Sequence, residues 1–166
     1  AIDGVAITLK SEDPGNTATL AIASDQDAVA ANVRKFVTAY NAMRTKLDTL
    51  SFYDAASKTA GPLLGDPLMS GVESQLRRLT TSAVGGLTGN YTSLAAIGIT
   101  SDAKGKLVLN EDKLDTALSA DRGAVAKLFG ATGGIATRLD TALTQQLAGS
   151  GTMAARDKSL VDAQKA

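Results

Sequence analysis

Ser101-Asp102-Ala103-Lys104 has the Ser-x-x-Lys spacing of serine acyl-enzymes, in which a lysine on the same helical face activates the hydroxyl as a nucleophile. Here the four residues fall in a stretch that reads as a hairpin turn, and neither Ser-Asp-Asn nor Lys-Thr-Gly accompanies them, so turn formation is the better reading. Asp25 and Asp27 could open a calcium loop, but such a loop needs Gly at its sixth position and Glu at its twelfth, where this chain has Ala30 and Phe36. Helix capping suits them better. Asp112 and Asp115 share a helical face without a third ligand nearby, which favours a solvated face over a metal site. Gly130-Ala131-Thr132-Gly133-Gly134 lacks the Gly-Lys-Ser/Thr ending of a phosphate cradle and reads as a linker between helices. Asn90-Tyr91-Thr92 fits a glycosylation sequon, a pattern short enough to recur by chance, and Arg77-Arg78 is too short for a nucleic-acid patch.

Composition points the same way. The 166 residues contain no His and no Cys, which removes the Ser-His-Asp triad, the thiol nucleophile, the imidazole base, the zinc finger and the disulfide. The 17 Lys and Arg balance 17 Asp and Glu, so the chain lacks the positive surplus with which proteins grip nucleic acid or an anionic membrane. Aromatic residues make up 4% and Trp is absent, which argues against a stacking platform for bases or sugars. No run is long and apolar enough for a membrane span, and the N-terminus has no signal-peptide pattern. The first residue is not Met, so a fragment is expected. These features favour a structural or interaction protein.

The elements follow from periodicity. Val5, Ile7 and Leu9, then Ala18, Leu20 and Ile22, alternate about Ser11-Glu12-Asp13-Pro14-Gly15-Asn16, predicting a β-hairpin over 1–23. At Ser24 the period changes, with Ser24 and Asp27 as a capping pair. Val33, Phe36, Tyr40, Met43, Leu47 and Leu50 then step by 3, 4, 3, 4, 3, the rhythm of a coiled-coil seam. About 25 helical residues make a rod about 37 Å long. A loop is expected over 52–64. Asp66 and Pro67 then start a second helix, Met69, Val72, Leu76, Leu79 and Ala83 repeat the seam, and Gly85-Gly86 ends it. Two such helices most economically form an antiparallel pair.

A second hairpin is predicted over 94–109, from Leu94, Ile97 and Ile99 through Asp102 to Gly105 and on to Leu107 and Leu109. Asn110 caps a short helix with Leu114, Ala117 and Leu118, Asp121 caps another with Val125, Leu128 and Phe129, and a longer helix follows Gly133-Gly134. Gly149-Ser150-Gly151 breaks that helix, and a last amphipathic segment with Met153, Leu160 and Val161 runs off the end without a cap, a second reason to expect a fragment. The expected fold is α+β, predominantly α: heptad-patterned antiparallel helices with two short β-hairpins.

Five short motifs in order resemble the C-terminal region of the bacterial flagellar filament cap family, the flagellar hook-associated protein 2 family. They are Phe36-Val37-Thr38-Ala39-Tyr40-Asn41, Gly61-Pro62-Leu63-Leu64-Gly65-Asp66, Leu94-Ala95-Ala96-Ile97-Gly98-Ile99, Gly105-Lys106-Leu107-Val108-Leu109-Asn110 with Leu114, Ala117 and Leu118, and Val125 with Leu128-Phe129. The resemblance implies a structural, non-enzymatic cap at the distal end of the flagellum, under which flagellin folds and inserts. It implies no cofactor. The implied partners are further copies in a ring-shaped homo-oligomer, flagellin, hook-associated proteins and an export chaperone, with no nucleic acid and no membrane insertion. Export through the flagellar type III channel and an extracellular position at the flagellum tip are implied as well. In this frame 1–23 is a return hairpin from a β-rich head and 24–166 a helical leg with an inserted hairpin, truncated in its last helix.

No catalytic, cofactor or metal residue is assigned. The assembly candidates are Val33, Phe36, Tyr40, Met43 and Leu47, facing Met69, Val72, Leu76 and Leu79. Polar positions taken as exposed, such as Arg44, Lys46 and Asp48, carry no distinguishing pattern. Two other readings stay open. One is another axial flagellar component, a hook-filament junction protein or flagellin. The other is a His- and Cys-free carboxylate hydrolase, which calls for a deep pocket with paired acids.

Overall fold

The computed structural model describes residues 26–148 together with Gly15. The expected hairpin over 1–23, the Ser24 cap, Asp25 and the final amphipathic segment lie outside the described residues, Gly15 apart. Four helices and two small antiparallel sheets are described, an α+β fold that is predominantly α. In chain order these are α1 (Gln26–Ser51), β1 (Tyr53–Asp54), β2 (Thr59–Ala60), α2 (Pro67–Thr81), a 3₁₀ turn (Ala95–Ile97), β3 (Ile99–Ser101), β4 (Leu107–Leu109), α3 (Glu111–Gly130) and α4 (Ile135–Leu147).

The helix starts follow from local chemistry. Asp66 accepts from the N–H of Leu68 at 2.8 Å, meeting a donor that has no partner within the helix, and Pro67 sits where its missing N–H costs nothing. Asn110 accepts from the N–H of Lys113 at 2.9 Å. Within α3, Asp121 is non-helical (φ −157°, ψ 84°) and its carboxylate accepts from the N–H of Ala124 at 2.8 Å. α3 is therefore two capped helices in direct succession, the pair expected from Asn110 and Asp121.

Three boundaries differ from expectation. The segment 52–64 holds the β1–β2 hairpin, with Tyr53 opposite Ala60 and Asp54 opposite Thr59, where only a loop was expected. Asp54 closes its turn by accepting from the N–H of Ala56 at 3.0 Å. α2 stops at Thr81 instead of at Gly85-Gly86. Ser82 donates its hydroxyl to the Arg78 carbonyl at 2.6 Å, and Val84, almost fully buried, is drawn off the helix axis by an N–H bond to Thr92 O at 2.7 Å. The predicted hairpin over 94–109 narrows to β3 and β4, because Leu94 to Ile97 wind into a 3₁₀ turn that ends on Gly98 (φ +89°). A side chain there would be strained, and its Cβ would lie 2.7 Å from Lys113 Cβ and 2.8 Å from Asn110 O, so glycine lets the turn press against the start of α3.

Leu94, Ile97, Ile99, Leu114, Val125, Leu128 and Ile135 are the large side chains sealed at the centre. The expected pairing of α1 with α2 is not the main helix packing. α1 lies chiefly against α3 and β4, and α2 lies against α4. The reason is apolar supply: α3 buries Leu114, Ala117, Leu118, Val125 and Leu128, whereas α2 buries only Met69, Leu76 and Thr80. The face with more to hide takes the longest helix.

Candidate functional site

The residues buried on α1 are Ala30, Val33, Val37, Tyr40 and Arg44, again at intervals of 3 and 4. This stripe is rotated from the expected seam. Val33 and Tyr40 belong to both, Phe36, Met43 and Leu47 lie half-buried on its shoulder, and Leu50 is exposed. Across the molecule Met69 and Leu76 are buried while Val72 and Leu79 are half-buried. Phe36 meets Phe129 of α3 edge-on, with ring centroids 5.3 Å apart. The seam residues thus share one core without forming a single α1–α2 seam.

Beside the apolar stripe runs a polar one. Arg34, Asn41 and Arg44 are spaced by 7 and 3, which puts them on one side of α1. Arg34 donates from Nε to both Glu111 carboxylate oxygens, at 3.0 and 3.1 Å, and from Nη2 to one of them at 2.9 Å. These hydrogen bonds, with the attraction between the charges, hold the Glu111 carboxyl below its ordinary range and the guanidinium above its own. Both side chains are about half exposed (48% and 51%), so water screens the pair and its main role is registry between α1 and the start of α3.

Asn41 bridges α1 to β4. Its Nδ2 donates to Leu107 O at 2.8 Å and its Oδ1 accepts from Leu107 N–H at 2.7 Å, so one amide satisfies both backbone groups of a strand residue.

Arg44, expected to be exposed, is 7% exposed. Its Nη2 donates to Asp48 Oδ1 and to Lys104 O, both at 3.0 Å, and its Nη1 pairs with Glu73 Oε1 at 3.2 Å. One guanidinium thereby ties together α1, α2 and the β3–β4 turn. Asp102 folds that turn by accepting from the N–H groups of Lys104 and Lys106, both at 2.8 Å, and Gly105 (φ +77°) lies over the guanidinium. The Ser101-to-Lys104 motif is this turn, as the missing companion motifs implied. The signal for Arg44 was present in the sequence: it occupies a position of the buried stripe, 4 residues after Tyr40 and 7 after Val37. A cation at such a position needs partners; Asp48 lies one turn away, and Glu73 and the Lys104 carbonyl come from distant parts of the chain.

Between α2 and α4 lies a groove open to solvent, lined by Gln75, Leu79, Thr137, Arg138, Thr141 and Ala142 among others, with no Asp or Glu in its lining. Gln146 of α4 reaches Gln75 across it at 3.3 Å. This is not the deep acidic pocket that the carboxylate hydrolase reading requires. Asp112 and Asp115 are exposed, Arg77 and Arg78 are exposed on α2, and Asn90 is an exposed loop residue. Among the described residues no group of three acids could hold a metal, and no helix is long and apolar enough to cross a membrane.

The geometry defines a helical packing domain with a hairpin pinned to its longest helix. The chain belongs to the flagellar hook-associated protein 2 C-terminus family, whose model matches residues 1–166. It is 32% identical over 164 residues to the polar flagellar hook-associated protein 2 of Vibrio parahaemolyticus, covering 98% of this chain and 24% of that protein. It is 32% identical over 176 residues to the B-type flagellar hook-associated protein 2 of Pseudomonas aeruginosa, covering 99% of this chain and 37% of that protein. A crystal structure of the D1-D2-D3 domains of the Escherichia coli flagellar cap protein FliD superposes with a TM-score of 0.71 at 32% identity, over 83% of this chain and 37% of that one. The chain spans about a quarter of the length of the first relatives.

Proposed function

We propose that the chain serves as part of a structural, non-enzymatic cap at the distal end of the bacterial flagellum, promoting flagellin folding and insertion as the filament grows. The observation that carries this reading is the likeness to the Escherichia coli flagellar cap protein, close in both fold and sequence. The open, acid-free groove and the Arg34, Asn41 and Arg44 contacts are features of packing and give a hydrolase no support. The Vibrio and Pseudomonas relatives are hook-associated protein 2 proteins, which favours the cap over a junction protein or flagellin.

Further copies in a ring, flagellin, hook-associated proteins and an export chaperone are the partners of this reading, and the flagellum tip, reached through the flagellar type III channel, is its location. The division into a return hairpin over 1–23 and a helical leg over 24–166 belongs to it too. Of the seam candidates, the half-buried Phe36, Met43, Leu47, Val72 and Leu79 retain surface with which to touch a neighbour. Val33, Tyr40, Met69 and Leu76 act through the core.

The test is deletion of the gene in its source bacterium, with flagellin in the medium, filament length and swimming as readouts. Leaked monomeric flagellin and absent filaments, restored by added purified protein, are the expected result. Normal filaments and motility would overturn the reading.

A further inference from the structure

The chain carries no net charge, yet its unpaired charges are divided between two places among the described residues. Arg138 is the one charged side chain in the lining of the α2–α4 groove, half-buried beside the hydroxyls of Thr137 and Thr141 and the amides of Gln75 and Gln145. Among the described residues no carboxylate pairs with it. Asp140 lies two residues on and is therefore turned about 200° away around α4. Nor does the start of the helix neutralise the cation, because α4 has no acid in its first turn, where the backbone dipole is already positive. Arg78, exposed one turn beyond Gln75 on α2, adds a second cation on that side.

The opposite imbalance lies where α1 and α3 begin. Three carboxylates act on Arg34, those of Glu111, Asp115 and Asp27, and only Glu111 bonds to it. Asp112 and Asp115 are exposed, three residues apart on one face of α3, and among the described residues neither carboxylate takes a hydrogen bond or a salt bridge. These acids and the groove face different ways in one copy. Arg34 and Phe36 flank the buried stripe of α1 on opposite sides, Arg34 toward the start of α3 and Phe36 toward its end at Phe129, just ahead of Gly133 and the groove.

We propose that the α2–α4 groove is a docking surface for a second copy of this chain, which lays the Asp112 and Asp115 face of its α3 against Arg138 and Arg78. The charges match: two carboxylates about 5–6 Å apart on one helix face, two guanidiniums whose forks take carboxylates side-on, and no acid in the groove to repel them. Each copy uses one face to give and another to receive, so the contact repeats from copy to copy instead of closing as a two-fold pair. Its place in a cap rests on the function proposed above, whereas the contact itself belongs to the chain in solution.

Sedimentation velocity of the full chain over a concentration series tests it. The parent should self-associate at low salt, and the association should weaken as salt rises. Arg78→Glu with Arg138→Glu, and separately Asp112→Arg with Asp115→Arg, should each weaken it by about tenfold or more, because like charges then meet across the contact. Mixed in equal amounts the two double variants should associate again, since the groove of each then faces opposite charge on the other. Arg138→Gln, which keeps the size of the side chain near that of the parent, should weaken the contact and lessen its dependence on salt. A parent that stays monomeric, variants that associate as well as the parent, or a mixture that does not recover would overturn the docking surface. None of these outcomes decides the cap reading, which gene deletion tests.

Discussion

Where α1 meets α3 and the β3–β4 hairpin, Ile97, Ile99, Leu114 and Leu128 are sealed, and Arg34 and Asn41 add bonds that fix the register. Where α2 meets α4, the groove stays open, Leu143 and Leu147 face solvent, and a polar contact between Gln146 and Gln75 spans the gap. The two regions share the apolar periodicity, on helices of 26 and 20 residues in the first and of 15 and 13 in the second. They differ in what the rest of the chain brings to them. The first receives a hairpin, a 3₁₀ turn and the richest apolar helix, while the second receives only the two helices themselves. A heptad pattern therefore reports that a face wants cover, and the surrounding elements decide how much cover it gets.

This contrast can be broken by substitution. Leu114→Ala removes a fully sealed side chain from the first region and should destabilise the protein by about 3 kcal/mol, whereas Leu147→Ala in the second should stay within about 0.5 kcal/mol. Urea unfolding measures both, and comparable losses would erase the distinction. Asn41→Ala leaves the N–H and C=O of Leu107 without their partner and should lower stability by about 2 kcal/mol, with faster exchange at β4 as the local sign. Asp66→Ala removes the cap that starts α2 and should lower stability by about 1 kcal/mol, read from the shift in the denaturation midpoint.

The smallest effect sharpens the picture at the surface. Glu111 is held below its ordinary carboxyl range by Arg34, so the folded state binds its proton less readily than the unfolded chain does. Its contribution is present above the ordinary value and disappears as the pH falls through the lowered one. Glu111→Gln should therefore be slightly less stable than the parent near neutrality, and the two unfolding curves should converge in acid. A difference that persisted in strong acid would assign the effect to something other than the ion pair.

What the sequence disclosed was the part written in neighbouring residues. Asp66-Pro67, Asn110, Asp121 and the turn from Asp102 to Gly105 work through backbone groups a few positions away, so their types and spacing suffice. The expected α1 seam follows the largest apolar residues, Phe36, Met43 and Leu50, and shares only Val33 and Tyr40 with the buried stripe. The true stripe passes through Ala30, Val37 and Arg44, where the hairpin and α3 come close. Arg44 and Asn41 depend on partners 60 and 66 residues away, a distance over which periodicity carries no information. The β1–β2 hairpin pairs two residues with two, too few for alternation to register.

The Asn41 contact has a consequence beyond holding the hairpin in place. A two-stranded sheet has an outer edge on each strand, and the backbone groups along such an edge can template the addition of a strand from another chain. At Leu107 those groups are already occupied by a side-chain amide that is fixed to a helix and cannot be extended. α1 thus acts as a stopper on β4, guarding the hairpin against aggregation from that side.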